Sequence, residues 1–196
     1  SFAGTGLDFS QDFGVVVRAI ELLRLKGTKV MLSVGGGASP FQDVTNYQDI
    51  IRLMKDLGCD GIDIDWEPSD GVKSANKWAP IIDKFYSAIG DTHLLSAAVF
   101  STGAYGAEEG DTYKGLNIPG MVASGAKLDW LNIMAYDAGS HFDALGAYDS
   151  YRIYYKGPLY VGFELGKQGW GDAILNLAHV EKVCNYVKAG DGVFVW

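Results

Sequence analysis

Short apolar runs alternate with amphipathic stretches along the whole chain, and this constrains the fold more than any other feature. Residues 29–36 (KVMLSVGG), 61–67 (GIDIDWE), 94–100 (LLSAAVF), 128–136 (LDWLNIMAY), 159–165 (LYVGFEL) and 192–196 (GVFVW) read as strands. Between them, residues 12–26, 47–57, 77–89 and 172–188 carry apolar side chains at helical spacing, and residues 118–124 form a shorter helix. In residues 12–26 the inward set is Phe13, Val16, Val17, Ile20 and Leu23; in residues 77–89 it includes Trp78, which reads as core. Asp172 is a plausible N-cap of the last helix, and Gly190 a plausible residue beyond its end. Strict βα alternation implies a parallel sheet with covering helices. An open doubly wound sheet and a (β/α)8 barrel both fit. No GxGxxG follows a strand, and Gly35-Gly36-Gly37 lacks that spacing. A full barrel takes about 250 residues, roughly 31 per unit, so 196 residues supply about six units, the number of strands counted.

Composition excludes several function classes. Sixteen Lys+Arg against 24 Asp+Glu give a net charge of −8, which disfavours nucleic acid as a partner. No apolar run reaches the roughly 18 residues of a membrane span. The N-terminal SFAGTGLDFS has no basic stretch followed by an apolar one and does not read as a signal peptide; a mature secreted protein looks the same. His93, His141 and His179 are scattered, so no metal site and no cofactor is assigned. Cys59 and Cys184 read as two buried free thiols, with a disulfide as the alternative.

The most informative segment is Asp60-Gly-Ile-Asp63-Ile-Asp65-Trp-Glu67. Residues i, i+2 and i+4 of a strand share a face, so Asp63, Asp65 and Glu67 align while Ile62, Ile64 and Trp66 point to the covering helices. Three carboxyls on one buried face cannot all ionise cheaply; like charges raise at least one pKa, and the cluster shares protons. A carboxylic acid kept protonated near neutral pH is what a general acid requires. Glu67 precedes Pro68 and sits at the C-terminal end of its strand, where parallel βα folds build active sites. Asp60 lies on the opposite parity and is expected to shape the start of the strand.

These residues resemble the DxxDxDxE signature of family 18 glycoside hydrolases, the chitinase family. Ser33-Val-Gly35-Gly36 is similar to the family's SxGG on barrel strand three, Met134-Ala-Tyr136-Asp137 to the MxYD ending strand six, and Trp196 to the tryptophan closing strand eight. The resemblance implies an α/β fold, a (β/α)8 TIM barrel of which this chain holds strands three to eight. Residues 1–196 would then form a single catalytic domain whose N-terminal strands are missing, as a segment of a longer chain. It further implies retaining hydrolysis of β-1,4-linked N-acetylglucosamine polymers, with the substrate's own acetamido oxygen as nucleophile. By position, Glu67 protonates the leaving oxygen and later activates water. Asp65 holds the acetamido N–H and Asp63 shares its proton. Tyr136 orients the acetamido oxygen, Trp196 floors the −1 sugar, and Met134 and Asp137 line the same pocket. Ser33 is a candidate hydrogen-bond donor to the deepest acid, and Gly35 and Gly36 serve close backbone approach.

Only residues 166–171 separate the seventh barrel strand from its helix, which leaves no room for an inserted domain and implies an open cleft and endo-type cutting. Chitin or a chitooligosaccharide is the expected partner, with no nucleic acid and no membrane; a monomer is expected, and the resemblance implies a place outside the cell. Tyr105, Tyr113, Phe142, Tyr151 and Trp170 lie in loops or beside strand ends and are candidate sugar-stacking aromatics, although ordinary packing fits each of them better. Two other functions fit parts of the pattern: an endo-β-N-acetylglucosaminidase cutting the N-glycan core, and a catalytically inactive chitin-binding lectin. The intact Glu67 speaks against the second.

Overall fold

The computed structural model describes residues 5, 9–37, 41, 45–106, 112–136, 143–165 and 177–196. Six strands are present: β1 (Met31–Gly35), β2 (Gly61–Asp65), β3 (Leu94–Phe100), β4 (Trp130–Met134), β5 (Leu159–Phe163) and β6 (Gly192–Val195). They form one all-parallel sheet in sequence order, β1 to β6. The α-helices are α1 (Phe13–Leu25), α2 (Tyr47–Leu57), α3 (Trp78–Ile89), α4 (Ile118–Ser124), α5 (Ala144–Tyr154) and α6 (Leu177–Tyr186). Sequential parallel neighbours joined by helical crossovers make an open arc of a βα barrel, with β1 and β6 at its edges. No helix among the described residues is long and apolar enough to cross a membrane.

Alternation in β2 sorts its side chains as the sequence requires. Ile62 and Ile64 are fully buried and Trp66 is 1% exposed, on the helix side. Trp66 stacks on Trp78 of α3, centroids 5.3 Å apart and planes 5° from parallel, which ties the acidic strand to its covering helix. The Trp78 indole in turn needs α4 to come close: a Cβ at Gly120 would lie 1.9 Å from Trp78 Cδ1.

The N-terminal ends of the strands are joined by a repeated clamp. Asp60, Asp129 and Asp191 each stand one residue before a strand, and each accepts a backbone N–H at the start of the preceding strand: Val30 at 3.0 Å, Leu95 at 2.8 Å and Leu159 at 3.0 Å. This end also holds a hollow of about 530 Å³ among Lys29, Asp60, His93 and Asp129. In βα barrels that end carries stability and the other carries chemistry. Asp60 thus has the strand-starting place expected of it, with Lys29 at 3.3 Å and Arg24 at 3.4 Å.

Four readings of the sequence change. Helix α5 was not anticipated. Leu23 of α1, expected inward, is 47% exposed, because α1 lies beside the edge strand and packs mainly on α2. Cys184 is exposed, so only Cys59 is a buried thiol; both are free. The last helix ends at Tyr186, short of the expected Lys188, so Gly190 is not the residue that follows it; its expected start at Asp172 and the 166–171 connection lie outside the described residues.

Candidate active site

The carboxylates stand on the face of β2 opposite the helices. In register, Ser33 of β1 and Ser96 of β3 flank Asp63, and Gly35 and Ala98 flank Asp65. Asp63 accepts three hydrogen bonds: Ser96 Oγ to Oδ1 at 2.6 Å, Asn132 Nδ2 to Oδ1 at 3.3 Å, and Ser33 Oγ to Oδ2 at 3.1 Å. Burial pushes the Asp63 carboxyl up, and these three donors pull against it. Ser33 therefore donates to the deepest acid. Ser96 and Asn132 were not singled out from the sequence. Their signal was there: each is a polar residue inside an apolar strand, on inward parity.

Asp65 is placed differently. Its Oδ1 is buried and accepts no hydrogen bond among the described residues. Burial, and then the charges of Glu67 and Asp63, raise its pKa from 3.8 to about 7. Glu67, two residues further on, is raised by burial and drawn back by the Gly37 N–H that it accepts. Both carboxyls are thus shifted toward the protonated form, Asp65 to about 7.

Gly36 and Gly37, just past β1, lie directly over these acids, and the absence of a side chain permits it. Gly36 donates its N–H to Asp65 O at 2.9 Å with φ +99°, and a Cβ at Gly35 would fall 1.9 Å from that same oxygen. A Cβ at Gly37 would lie 3.5 Å from both Glu67 carboxylate oxygens. The close approach expected of Gly35 and Gly36 is therefore to the acidic strand's own backbone.

An aromatic wall stands across the same face. Met134, half-buried, ends β4 in register with Phe100 of β3. Tyr136 stacks on Trp196 with centroids 5.8 Å apart and meets Phe194 edge-on at 6.1 Å. Gly162 of β5 makes room for both rings: a Cβ there would come within 2.5 Å of Phe194 and 2.7 Å of Tyr136. Trp196 is 70% exposed and offers an open indole. Glu164, buried just beyond β5, pairs in register with Trp196 and adds another acid to this rim. Asp137 lies outside the described residues, as do Phe142 and Trp170. Of the stacking candidates, Tyr151 is a correction. It is fully buried on α5, and its hydroxyl donates to Phe100 O at 2.6 Å and lies 2.9 Å from Asn117 Oδ1, so it holds a loop and offers no face to a sugar. Tyr113 stacks on Phe100 at 4.4 Å, and the Tyr105 hydroxyl reaches Asp143 O at 3.4 Å.

The raised acid has a consequence for stability. Between pH 3.8 and about 7 the folded chain binds a proton on Asp65 that the unfolded chain has released. The associated stability is complete below the lower value and is lost as pH rises through the upper one. The thermal midpoint is expected to fall over that window, and Asp65→Asn should flatten the fall. An unchanged slope in the variant would show that the destabilisation originates elsewhere.

Comparison with known proteins adds the following. The sequence model of the family described as Glycosyl hydrolases family 18 matches residues 8–190. The chain is 35% identical over 147 residues to Chitinase 1 of Aphanocladium album, covering 63% of this chain and 32% of that protein. It is 32% identical over 133 residues to the Class V chitinase of Arabidopsis thaliana, covering 58% and 33%. The chain thus spans about a third of the length of the curated relatives it matches. Among solved structures, a chitinase from Bacteroides thetaiotaomicron superposes with TM-score 0.71 at 16% identity, covering 98% of this chain and 77% of that one. A fungal endo-beta-N-acetylglucosaminidase of glycosyl hydrolase family 18 gives 0.67 at 18%, covering 94% and 69%. At such identities these two likenesses speak for the fold alone.

Proposed function

Because the chain belongs to family 18 of the glycosyl hydrolases, we propose that it hydrolyses β-1,4-linked N-acetylglucosamine polymers with retention of configuration. The single observation that carries this reading is the line of acids along β2 and just past its end: Asp63 held by three donors, Asp65 raised to about 7, and Glu67 raised at the rim.

In this reading the −1 sugar lies on the Trp196 indole with its acetamido group toward Asp65. Glu67 gives its proton to the glycosidic oxygen as the bond to the anomeric carbon breaks. The acetamido oxygen bonds to that carbon in the same step, and the positive charge moves onto an oxazolinium ring. The Asp63–Asp65 pair, holding one proton between its two carboxyls, sets one negative charge against it. The Tyr136 hydroxyl fixes the acetamido oxygen on the attacking side. Glu67, now ionised, takes a proton from water, which opens the ring from the face the leaving group vacated. The anomeric configuration is retained, and Glu67 is protonated again.

An endo-type action in an open cleft, a single catalytic barrel domain of which residues 1–196 supply strands three to eight, a monomeric state and work outside the cell belong to the same reading.

The test is to follow cleavage of chitohexaose by proton NMR. First-formed products should be the β-anomer, with fragments from internal cuts appearing early. First-formed α-anomer would exclude the acetamido route, and an intact hexamer bound without cleavage would make the protein a lectin. Cleavage confined to N-glycan cores would favour an endo-β-N-acetylglucosaminidase instead.

A further inference from the structure

Tyr151, fully buried on α5, reaches the root of the segment that follows β3. Its hydroxyl has one hydrogen, and the shorter of its two contacts takes it: Phe100 O lies at 2.6 Å and Asn117 Oδ1 at 2.9 Å. The Phe100 carbonyl also accepts Gly103 N at 3.0 Å, and Gly103 O accepts Asn117 N at 2.9 Å. Gly103 packs so closely here that a Cβ on it would fall 1.9 Å from Asn117 Oδ1 and 2.5 Å from the Tyr151 hydroxyl. Asn117 is 1% exposed, so little solvent competes for these bonds. Asn117 also stands at the N-cap position of α4. A phenol from one crossover thus ties together the two ends of another, the end of β3 and the start of α4.

The residue held in this way faces the acids. Asp63 pairs with Ser96 and Asp65 with Ala98. Phe100 lies two residues beyond Ala98, as Glu67 lies two beyond Asp65, so Phe100 stands in the layer of Glu67. Met134 is its partner on the next strand, and Gly37 occupies the opposite side of Glu67. The Phe100 ring stacks on Tyr113 with centroids 4.4 Å apart and planes at 28°. Both rings are half-buried against the core. Tyr113 is secured from its own side too. The neighbouring Thr112 O accepts Val72 N at 2.7 Å, and Gly71 N donates to Pro68 O at 3.0 Å, just past Glu67. Rings stacked before a ligand arrives cost less ordering entropy on binding than rings that the ligand must immobilise.

We propose that Tyr151, acting with Asn117, is a positioning residue: through the Phe100 carbonyl it sets the Phe100–Tyr113 ring pair beside Glu67. That the pair serves sugar binding rests on the hydrolase reading above. The setting of the rings is a property of the resting protein.

The experiment compares Tyr151→Phe, which removes only the hydroxyl, with Tyr155→Phe, both in the whole chain. Tyr155 caps the same helix, is 2% exposed and donates to Leu128 O at 2.9 Å, ahead of β4. It therefore loses an equivalent bond at the far end of the strands. Proton NMR of ring-labelled protein, with the rings assigned by Phe100→Leu and Tyr113→Leu, reads the pair directly. Wild type and Tyr155→Phe should show strong Overhauser contacts between the two rings, and Tyr151→Phe should lose most of them. In chitohexaose cleavage, KM should rise about 3–10-fold in Tyr151→Phe, the worth of one hydrogen bond, with kcat unchanged. On a Phe100→Leu background the same exchange should leave KM where it was, because the effect travels through that ring. Should Tyr151→Phe not fold, Asn117→Ala loosens the hub from its other side and must show the same loss of ring contacts. The proposal is overturned if the contacts persist in the folded variant, if Tyr155→Phe loses them equally, or if the KM effects of Tyr151→Phe and Phe100→Leu add. An unchanged KM beside lost contacts would equally remove Tyr151 from substrate binding. A wild type with its rings stacked that neither binds nor cleaves chitohexaose would count against the hydrolase reading and leave the positioning of the rings standing.

Discussion

Exchange of Glu67 for glutamine is expected to lower turnover of a fluorogenic chitotrioside by about 10²–10⁴-fold, the range that one positioned acid contributes. The exchange preserves shape. A glutamine oxygen can still accept the Gly37 N–H that Glu67 accepts, so the glycine loop over the site should stay in place. What is lost is the transferable proton, so kcat should collapse while affinity for the chitooligosaccharide, measured calorimetrically, is retained. A second readout separates this from general damage. The Glu67 charge is the first cause after burial that raises Asp65 to about 7, so the Asp65 titration should move down in the variant. Equal turnover in both proteins would remove Glu67 from the reaction. Loss of both binding and turnover would mean that glutamine had displaced the loop, and the comparison would then pass to Glu67→Asp, which keeps the proton but withdraws it from the substrate.

Acids that alternate with isoleucine and tryptophan were readable because a strand's period of two leaves no other arrangement. Ile62, Ile64 and Trp66 are buried against helices while Asp63 and Asp65 line the other face. Cross-strand partners were harder to read. Nothing in LLSAAVF or WLNIM says which neighbour will lie opposite Asp63; only the register Asp63↔Ser96 does, and register is set by how far each crossover helix displaces its strand. Helix α5 escaped notice for a different reason. Its inward set is Ala144, Ala147, Tyr148 and Tyr151, two small residues and two phenols, where α2 and α3 bury isoleucines at helical spacing. Residues of that kind resemble a loop carrying aromatics, and so Tyr151 stands among the sugar-stacking candidates, with ordinary packing as the other reading. Its hydroxyl in fact finds Phe100 O and Asn117 inside the core, as a buried phenol must. The outward turn of Leu23 reflects neighbours rather than sequence: amphipathic spacing tells which residues share a face, not whether a sheet extends far enough to cover all of them.

Replacement of Asp191 by alanine is expected to be the most destabilising single change at the N-terminal ends of the strands, at about 3–5 kcal/mol. Its side chain is 6% exposed and that of Arg152 is 13% exposed. Asp191 Oδ1 accepts from Arg152 Nη2 at 2.5 Å and from Leu159 N at 3.0 Å, and Oδ2 accepts from the Tyr148 hydroxyl at 2.5 Å. Tyr148 in turn accepts Lys188 N at 3.0 Å, just ahead of β6. Removing the carboxylate therefore strands a guanidinium, a phenol and a strand-starting N–H together, in a place where water enters poorly. The guanidinium keeps Gly157 O and Tyr155 O, at 2.9 and 3.2 Å, but no negative charge in this hub remains to match it. Asp60 is the control, because it makes the same clamp, to Val30 N. Its cations are Lys29 and Arg24, with side chains 69% and 48% exposed, so solvent can replace the lost ion pairs and their share of the loss should be at most about 1 kcal/mol. Urea unfolding of Asp191→Ala, Asp191→Asn and Asp60→Ala, with m values compared, checks the ordering. The loss should be largest for Asp191→Ala and smaller for Asp191→Asn, which keeps an acceptor for the N–H. An Asp191→Ala loss no greater than that of Asp60→Ala would mean that burial of the partner charge does not govern the cost, and that the three clamps act only as caps on strand N–H groups.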